Sequence, residues 1–190
     1  LYQQGYVAGS AGNLSVLLDD GSLLATPTGS SFGSLVEADI SHFTRDGLLL
    51  GGKATTKEAA FHLACYASHP NVRAVVHLHS TYATLLASTT GLQDGQPFVL
   101  FTPYFVMKVN KVGILEYRKP GSPLIAQDIF DKSQYSTYLM QNHGLITCAA
   151  SLFEAQYAAE EFEESAKLWY LGRALPIRTL TQEEIRELNR

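Results

Sequence analysis

"RAVVHLHSTYATLL", Arg73–Leu86, is the stretch on which the fold turns. It opens as an apolar, β-branched run, so Val72–His79 reads as a strand, and Ser80 then starts a helix that runs to about Ser88. Residues two apart in a strand share a face. His77 and His79 therefore point one way, while Ala74, Val76 and Leu78 point the other way, into a core. Two imidazoles on one face are spaced to grip a single metal ion. A hydrogen-bonded pair of core histidines is the other reading of H-x-H by itself.

"QNHGLITCA" (141–149) adds a third imidazole, His143, just ahead of a second apolar strand at Gly144–Ala149, with Gly144 letting the backbone approach closely. Three neutral imidazoles on neighbouring strands leave coordination positions open for a substrate, as a catalytic zinc site requires. The remaining histidines read as ordinary: His69 precedes Pro70 in a turn, His62 lies mid-helix, and His42 carries no pattern. None of the three is a site candidate.

Upstream, "TTKEAAFHLACYASHP" (55–70) reads as a helix with Thr55 or Thr56 as its cap, Glu58 in its first turn and Pro70 at its exit. A helix N-terminus attracts anions, and Lys57 adds a positive charge there. Glu58 is either an exposed first-turn residue or a carboxylate aimed at the metal site. "SAGNLS" (10–15) and "TPTGSS" (26–31) are loops whose backbone N–H groups and hydroxyls can cradle a phosphate, although such loops also occur as plain turns.

Leu14–Leu18 and Ser22–Thr26 flank Asp19-Asp20-Gly21 as a hairpin, and Asp46-Gly47 marks another turn. Short strands are expected near Phe98–Phe101 and over Val112–Tyr117, and a helix over Ser122–Met140. Ser151–Gly172 is the clearest helix. Ser151 and Glu154 form a capping box, Ala155, Ala158, Ala159, Phe162, Ala166 and Trp169 make one apolar stripe, and Gly172 is the stop. "LTQEEIREL" repeats the capping logic with Thr181 and Glu184. These elements predict an α/β chain in three layers (α/β/α), with a mostly antiparallel central sheet covered by helices.

The chain has 190 residues, 46% hydrophobic and 17% charged, which predicts one folded domain over 1–190 rather than disorder. The net charge of −4 and the lack of a basic run give no support to a nucleic-acid or membrane-surface role. Cys65 and Cys148 each sit among apolar residues and read as buried thiols rather than a disulfide. No run approaches the ~18 apolar residues of a membrane span and no signal peptide is seen, so the expectation is cytoplasmic. "LYQQGYVAGSAGNLS" reads as the end of a helix running into a loop, with an N-terminal helix preceding Leu1.

"AGNLS", "TPTG", "TKE" followed by "FH", "VVHLHS" and "NHG" occur in this order across nearly the whole chain. Together they resemble the class II sugar-phosphate aldolases, whose fold is shared with ribulose-phosphate 4-epimerase and the adducin head. "HLHSTYATLLAS", "TPYFVMKV" (102–109), "YRKPGSP" (117–123) and "AAEEFEESAKL" (158–168) resemble the 3-oxo-tetronate 4-phosphate decarboxylase subgroup. Lys57 is similar to that subgroup too, since fuculose-phosphate aldolases carry Ser there.

The resemblance implies that His77, His79 and His143 bind Zn2+, with Mn2+ or Co2+ as alternatives. It makes Glu58 the catalytic acid/base and a further metal ligand when substrate is absent. It assigns Gly12, Asn13, Thr28, Gly29, Thr56 and Lys57 to a phosphate pocket. "KATTKE" departs from the pattern, which carries a proline before the Thr/Ser, and leaves Thr55 and Thr56 as alternatives. The implied assembly is a homotetramer with sites between subunits. The implied reaction is metal-dependent loss of CO2 from a 3-oxo-tetronate 4-phosphate, giving dihydroxyacetone phosphate. An aldolase or epimerase acting on fuculose or ribulose phosphate is the alternative enzyme. A non-catalytic, adducin-like module is the third reading, and intact His77, His79, His143 and Glu58 argue against it.

Overall fold

The structure, a computed structural model, describes residues 1–96, 98 and 100–189. One eight-stranded sheet runs through it. The strands are β1 (Asn13–Leu17), β2 (Leu23–Ala25), β3 (Ser41–Phe43), β4 (Leu49–Gly51), β5 (Ala74–Leu78), β6 (Val112–Leu115), β7 (Thr137–Met140) and β8 (Gly144–Ala149). Their order is β4-β3-β2-β1-β5-β8-β7-β6, antiparallel throughout except for the parallel pair β6/β7. The helices are α1 (Ala59–Ser68), α2 (Thr81–Ala87), α3 (Pro103–Lys108), α4 (Leu124–Asp131), α5 (Leu152–Gly172) and α6 (Gln182–Leu188).

Central β5 is buried along its whole length, and its alternation divides the core. Ala74, Val76 and Leu78 join one cluster with Leu86 of α2, Phe105 of α3 and Phe162 of α5. Val75 joins the other with Phe61 of α1 and Ile125 and Ile129 of α4. Helices therefore cover both faces, which is the three-layer α/β/α arrangement expected, and His77 lies on the α1 side of the sheet. Cys65 and Cys148 are free and buried, as read.

Several elements depart from the sequence reading. The helix expected over Ser122–Met140 ends at Asp131, and Thr137–Met140 is a strand between β6 and β8. All four of its residues are buried, so it shows no alternation to mark it as a strand. The strand expected near Phe98–Phe101 includes Val99, which lies outside the described residues, while Phe98, Leu100 and Phe101 lie in no strand. The strand predicted to Tyr117 stops at Leu115. Helix α1 begins after Glu58, which takes the cap position with φ −99° and makes no side-chain cap; neither Thr55 nor Thr56 caps the helix. Thr56 Oγ1 instead accepts the Glu58 N–H at 3.2 Å.

Ser80 does not cap α2 by its own hydroxyl. Glu163 of α5, only 3% exposed, reaches across and accepts the N–H groups of Tyr82 and Ala83 at 2.8 Å, with the Ser80 hydroxyl donating at 2.7 Å. A carboxylate here satisfies the orphan donors of the first turn and complements the helix dipole. In α5 only half of the expected capping box forms: Ser151 Oγ accepts the Glu154 N–H. Gly172 is the last helical residue rather than a residue beyond the end, and a side chain on it would collide with Ile177. The Thr181–Glu184 box of α6 forms in both directions.

Candidate active site

His77 sits near the end of β5 and His79 one residue past it, with His143 just before β8. Pairing of β5 with β8 sets Leu78 against Leu145, which carries His143 to the pair. The approach is close: a Cβ on Gly144 would lie 2.3 Å from the Leu78 carbonyl oxygen. The three rings stand edge to face, with interplanar angles of 69°, 75° and 87°. One nitrogen from each lies within 4.8 Å of the other two.

The His77 tautomer is fixed by its surroundings. Its Nδ1–H donates to the Leu145 carbonyl at 2.9 Å, which leaves Nε2 bare and turned toward His79 Nε2, 2.8 Å away. Desolvation pushes His77 well below the usual imidazole range, and the neighbouring His79 and His143 push it further. His79 is open to a cavity at its outer edge, yet desolvation and then His143 hold it down to about 4. Desolvation also lowers His143, partly offset by the Glu58 carboxylate. All three rings are therefore neutral at pH 7, the form in which imidazole ligates a metal.

Glu58 stands over the cluster. Its Oε2 is 3.4 Å from His77 Nε2 and its Oε1 is 3.5 Å from His143 Nε2. Glu58 Oε1 and His143 Nε2 are buried without a hydrogen-bond partner. Three clustered imidazole nitrogens beside a carboxylate, with His143 Nε2 and Glu58 Oε1 left without partners, fit a divalent cation, since buried polar atoms otherwise find partners.

A cavity of about 290 Å³ opens from this point. Gly12, Asn13, Thr28, Gly29, Thr56 and Lys57 all line it, together with Glu58, His79 and His143. The sheet brings these loops together. Asn13 is the register partner of His77, and a Cβ on Gly12 (φ +74°) would lie 2.7 Å from the His77 carbonyl oxygen, so only glycine allows this approach. Thr28 N–H donates to the Ala54 carbonyl at 3.0 Å, and Pro27 bridges to Thr55, which ties the 26–31 loop to the segment entering α1.

Sequence reasoning missed part of the wall. Pro120 and Gly121 also line the cavity, whereas Ser10 and Ser30 line it within the two loops read as phosphate cradles. The loop carrying Pro120 and Gly121 is held by Arg118, whose guanidinium donates twice to Asp128 of α4 at 2.9 and 3.1 Å. "YRKPGSP" is informative in sequence only as a likeness, because nothing local says which cavity it borders. The three histidines set aside as ordinary make protein contacts: His42 with Ser22, His69 with Tyr138, and His62 with Asn13 and Ser15.

Comparison with known proteins agrees with this geometry. A 3-oxo-tetronate 4-phosphate decarboxylase of Escherichia coli O6:H1 is 47% identical over 188 residues, covering 98% of this chain and 89% of that protein. An L-fuculose phosphate aldolase of Methanocaldococcus jannaschii is 33% identical over 172 residues, covering 90% of this chain and 91% of that protein. The crystal structure of YgbL from Escherichia coli superposes with a TM-score of 0.96 at 45% identity, covering 100% of this chain and 92% of that one. Residues 1–170 match the family model of the Class II Aldolase and Adducin N-terminal domain. With its histidine cluster, its cavity loops and this match over most of its length, the chain belongs to the class II aldolase and adducin family.

Proposed function

We propose that this protein is a lyase that removes CO2 from a 3-oxo-tetronate 4-phosphate and yields dihydroxyacetone phosphate. One observation carries the reading: the Glu58 carboxylate lies 3.4–3.5 Å from two imidazoles of a three-histidine cluster, at the foot of a cavity walled by Gly/Ser/Thr loops and Lys57. The likeness to decarboxylases of the same substrate class supports it. His77, His79 and His143 would hold the divalent cation, with Glu58 as a further ligand in the absence of substrate. Zn2+ suits this nitrogen-rich set, and Mn2+ or Co2+ are alternatives. Bound there, the cation supplies positive charge where negative charge develops in the reaction.

The chain's own residues do the rest. Gly12, Asn13, Thr28, Gly29, Thr56 and Lys57 grip the phosphate and so fix the far end of the substrate. The bond between the carboxylate carbon and C2 breaks, CO2 leaves, and the electron pair stays on the substrate as an enediolate. Glu58, having taken up one proton from solvent, delivers it to C2, which completes dihydroxyacetone phosphate. An aldolase generates the same enediolate with an aldehyde as the leaving group, so one arrangement of groups serves either reaction. We also propose a cytoplasmic homotetramer with sites between subunits. Among the described residues no helix is long and apolar enough to cross a membrane.

The test is a substrate comparison on metal-loaded protein. Dihydroxyacetone phosphate should form from 3-oxo-tetronate 4-phosphate, and far more slowly from fuculose 1-phosphate. The reverse ranking would assign the chain to the aldolases.

A further inference from the structure

Behind Glu58 lies a line of buried polar groups that no step above uses. It is built by two periodicities meeting. Asn13 and Ser15, two apart on β1, present the same face to α1, while His62 and Tyr66 follow Glu58 at helical spacings of four and eight. The side chains interleave. Asn13 Nδ2 is 2.8 Å from Glu58 Oε2, and Asn13 Oδ1 is 2.5 Å from His62 Nε2. Ser15 Oγ is 2.8 Å from His62 Nδ1 and 2.7 Å from the Tyr66 hydroxyl. His62 is 1% exposed and stacks on Phe61 with ring centroids 4.7 Å apart.

The direction of every bond follows from the chemistry of one end. An ionised carboxylate only accepts, so Asn13 must turn its NH2 to Glu58 and its carbonyl to His62. That carbonyl only accepts, so His62 must carry its proton on Nε2. A neutral ring protonated there has a bare Nδ1, which takes the Ser15 hydroxyl proton, and Ser15 Oγ in turn accepts from Tyr66. All the donors point toward Glu58. With Oε2 held in this way, Oε1 is left without a partner, facing the histidine cluster.

We infer that His62 is a positioning residue for the reaction: locked as its Nε2–H tautomer, it fixes the Asn13 amide, which holds one Glu58 oxygen and leaves the other free to handle the proton. Without that donor the Asn13 amide can flip and present its carbonyl to the carboxylate. This inference rests on the acid/base role of Glu58 proposed above, and its test separates the two.

Wild-type turnover of 3-oxo-tetronate 4-phosphate is measured first; its absence would reject the proposed function and leave the tautomer to be judged by itself. Given turnover, His62→Leu should lower kcat roughly 10–100-fold, the scale of a misplaced reacting group. Metal content should stay near wild type. His62→Gln, whose amide can still donate to Asn13, should recover most of the loss. In a Glu58→Gln background, His62→Leu should cause no further fall, because it acts through Glu58. An unchanged kcat in folded, metal-loaded His62→Leu would overturn the inference, as would an undiminished loss in the Glu58→Gln background. Should His62→Leu fail to fold, imidazole 15N spectra of the wild type decide: a proton on Nε2 is expected, and a proton on Nδ1 contradicts the inference.

Discussion

Glu58 has two differently placed oxygens, and the function proposed here needs both. Oε2 accepts from Asn13, while Oε1 is buried and unpartnered beside His143. Glu58→Gln keeps the shape and the Asn13 contact but removes the transferable proton. Turnover should fall by roughly 10²–10⁴, the usual range for a positioned acid/base, with three imidazoles still holding metal. Near-native turnover would reduce Glu58 to a helix-start residue. Lys57 is exposed but lines the cavity next to Glu58. Lys57→Ser should weaken a phosphorylated inhibitor lacking a carboxylate by about 1.5 kcal/mol, the low end for a charged hydrogen bond because the ammonium is open to solvent. An unchanged inhibition constant excludes a phosphate role. At this scale His77, His79 and His143 were legible, because H-x-H fixes a shared face wherever a strand carries it. His62 was not, although the Glu58–His62–Tyr66 spacing of four lies in plain view. A mid-helix histidine signals a role only when its strand partners, Asn13 and Ser15, are known to face it.

Elements were legible where one periodicity dominates and illegible where tertiary burial overrides it. The β1/β2 hairpin, β5, β8 and α5 stand close to where the sequence put them. Thr137–Met140 was read as the tail of a helix because a strand buried on both faces lacks alternation, and no Gly or Pro separates it from α4. The cap of α2 was assigned to Ser80, whereas the carboxylate that receives the helix N–H groups comes from Glu163, 80 residues away. No local pattern can reveal a partner at that distance. Helix α2 begins two residues after His79, so this cap bears on the metal cluster as well. Glu163→Ala leaves a buried N–H group, a part-buried one and a buried hydroxyl without their acceptor and should cost about 3 kcal/mol. Urea denaturation should show a lowered midpoint at unchanged m-value, with weaker metal binding. A wild-type midpoint would contradict the role given to this carboxylate.

At the scale of the molecule, the interior of the α1 layer holds imidazoles that must remain neutral. Burial pushes His62 down to about 3, and desolvation, followed by its histidine neighbours, pushes His77 well below its ordinary value. Each takes up its proton near pH 6.5 when unfolded. The unfolded chain therefore binds more protons across the window from about 6.5 down to these folded values, so stability is complete above that window and is lost as pH falls through it. Each such histidine contributes a slope of up to about 1.4 kcal/mol per pH unit. Metal-free protein should show urea midpoints that decline from pH 7 to pH 5, and His62→Gln should show a shallower decline. Midpoints independent of pH over this range would contradict the neutral core.

The three-layer fold and the family were legible because the motifs fall in order along the whole chain. The wall supplied by Pro120 and Gly121 emerged only once the loops had been brought together. The most direct test of the whole account is to quantify CO2 and dihydroxyacetone phosphate from the same aliquot of 3-oxo-tetronate 4-phosphate, before and after removing metal with a chelator. The account predicts one CO2 per dihydroxyacetone phosphate, no turnover after chelation, and recovery when Zn2+ is restored. Turnover that survives complete metal removal, or dihydroxyacetone phosphate formed without CO2, would contradict it.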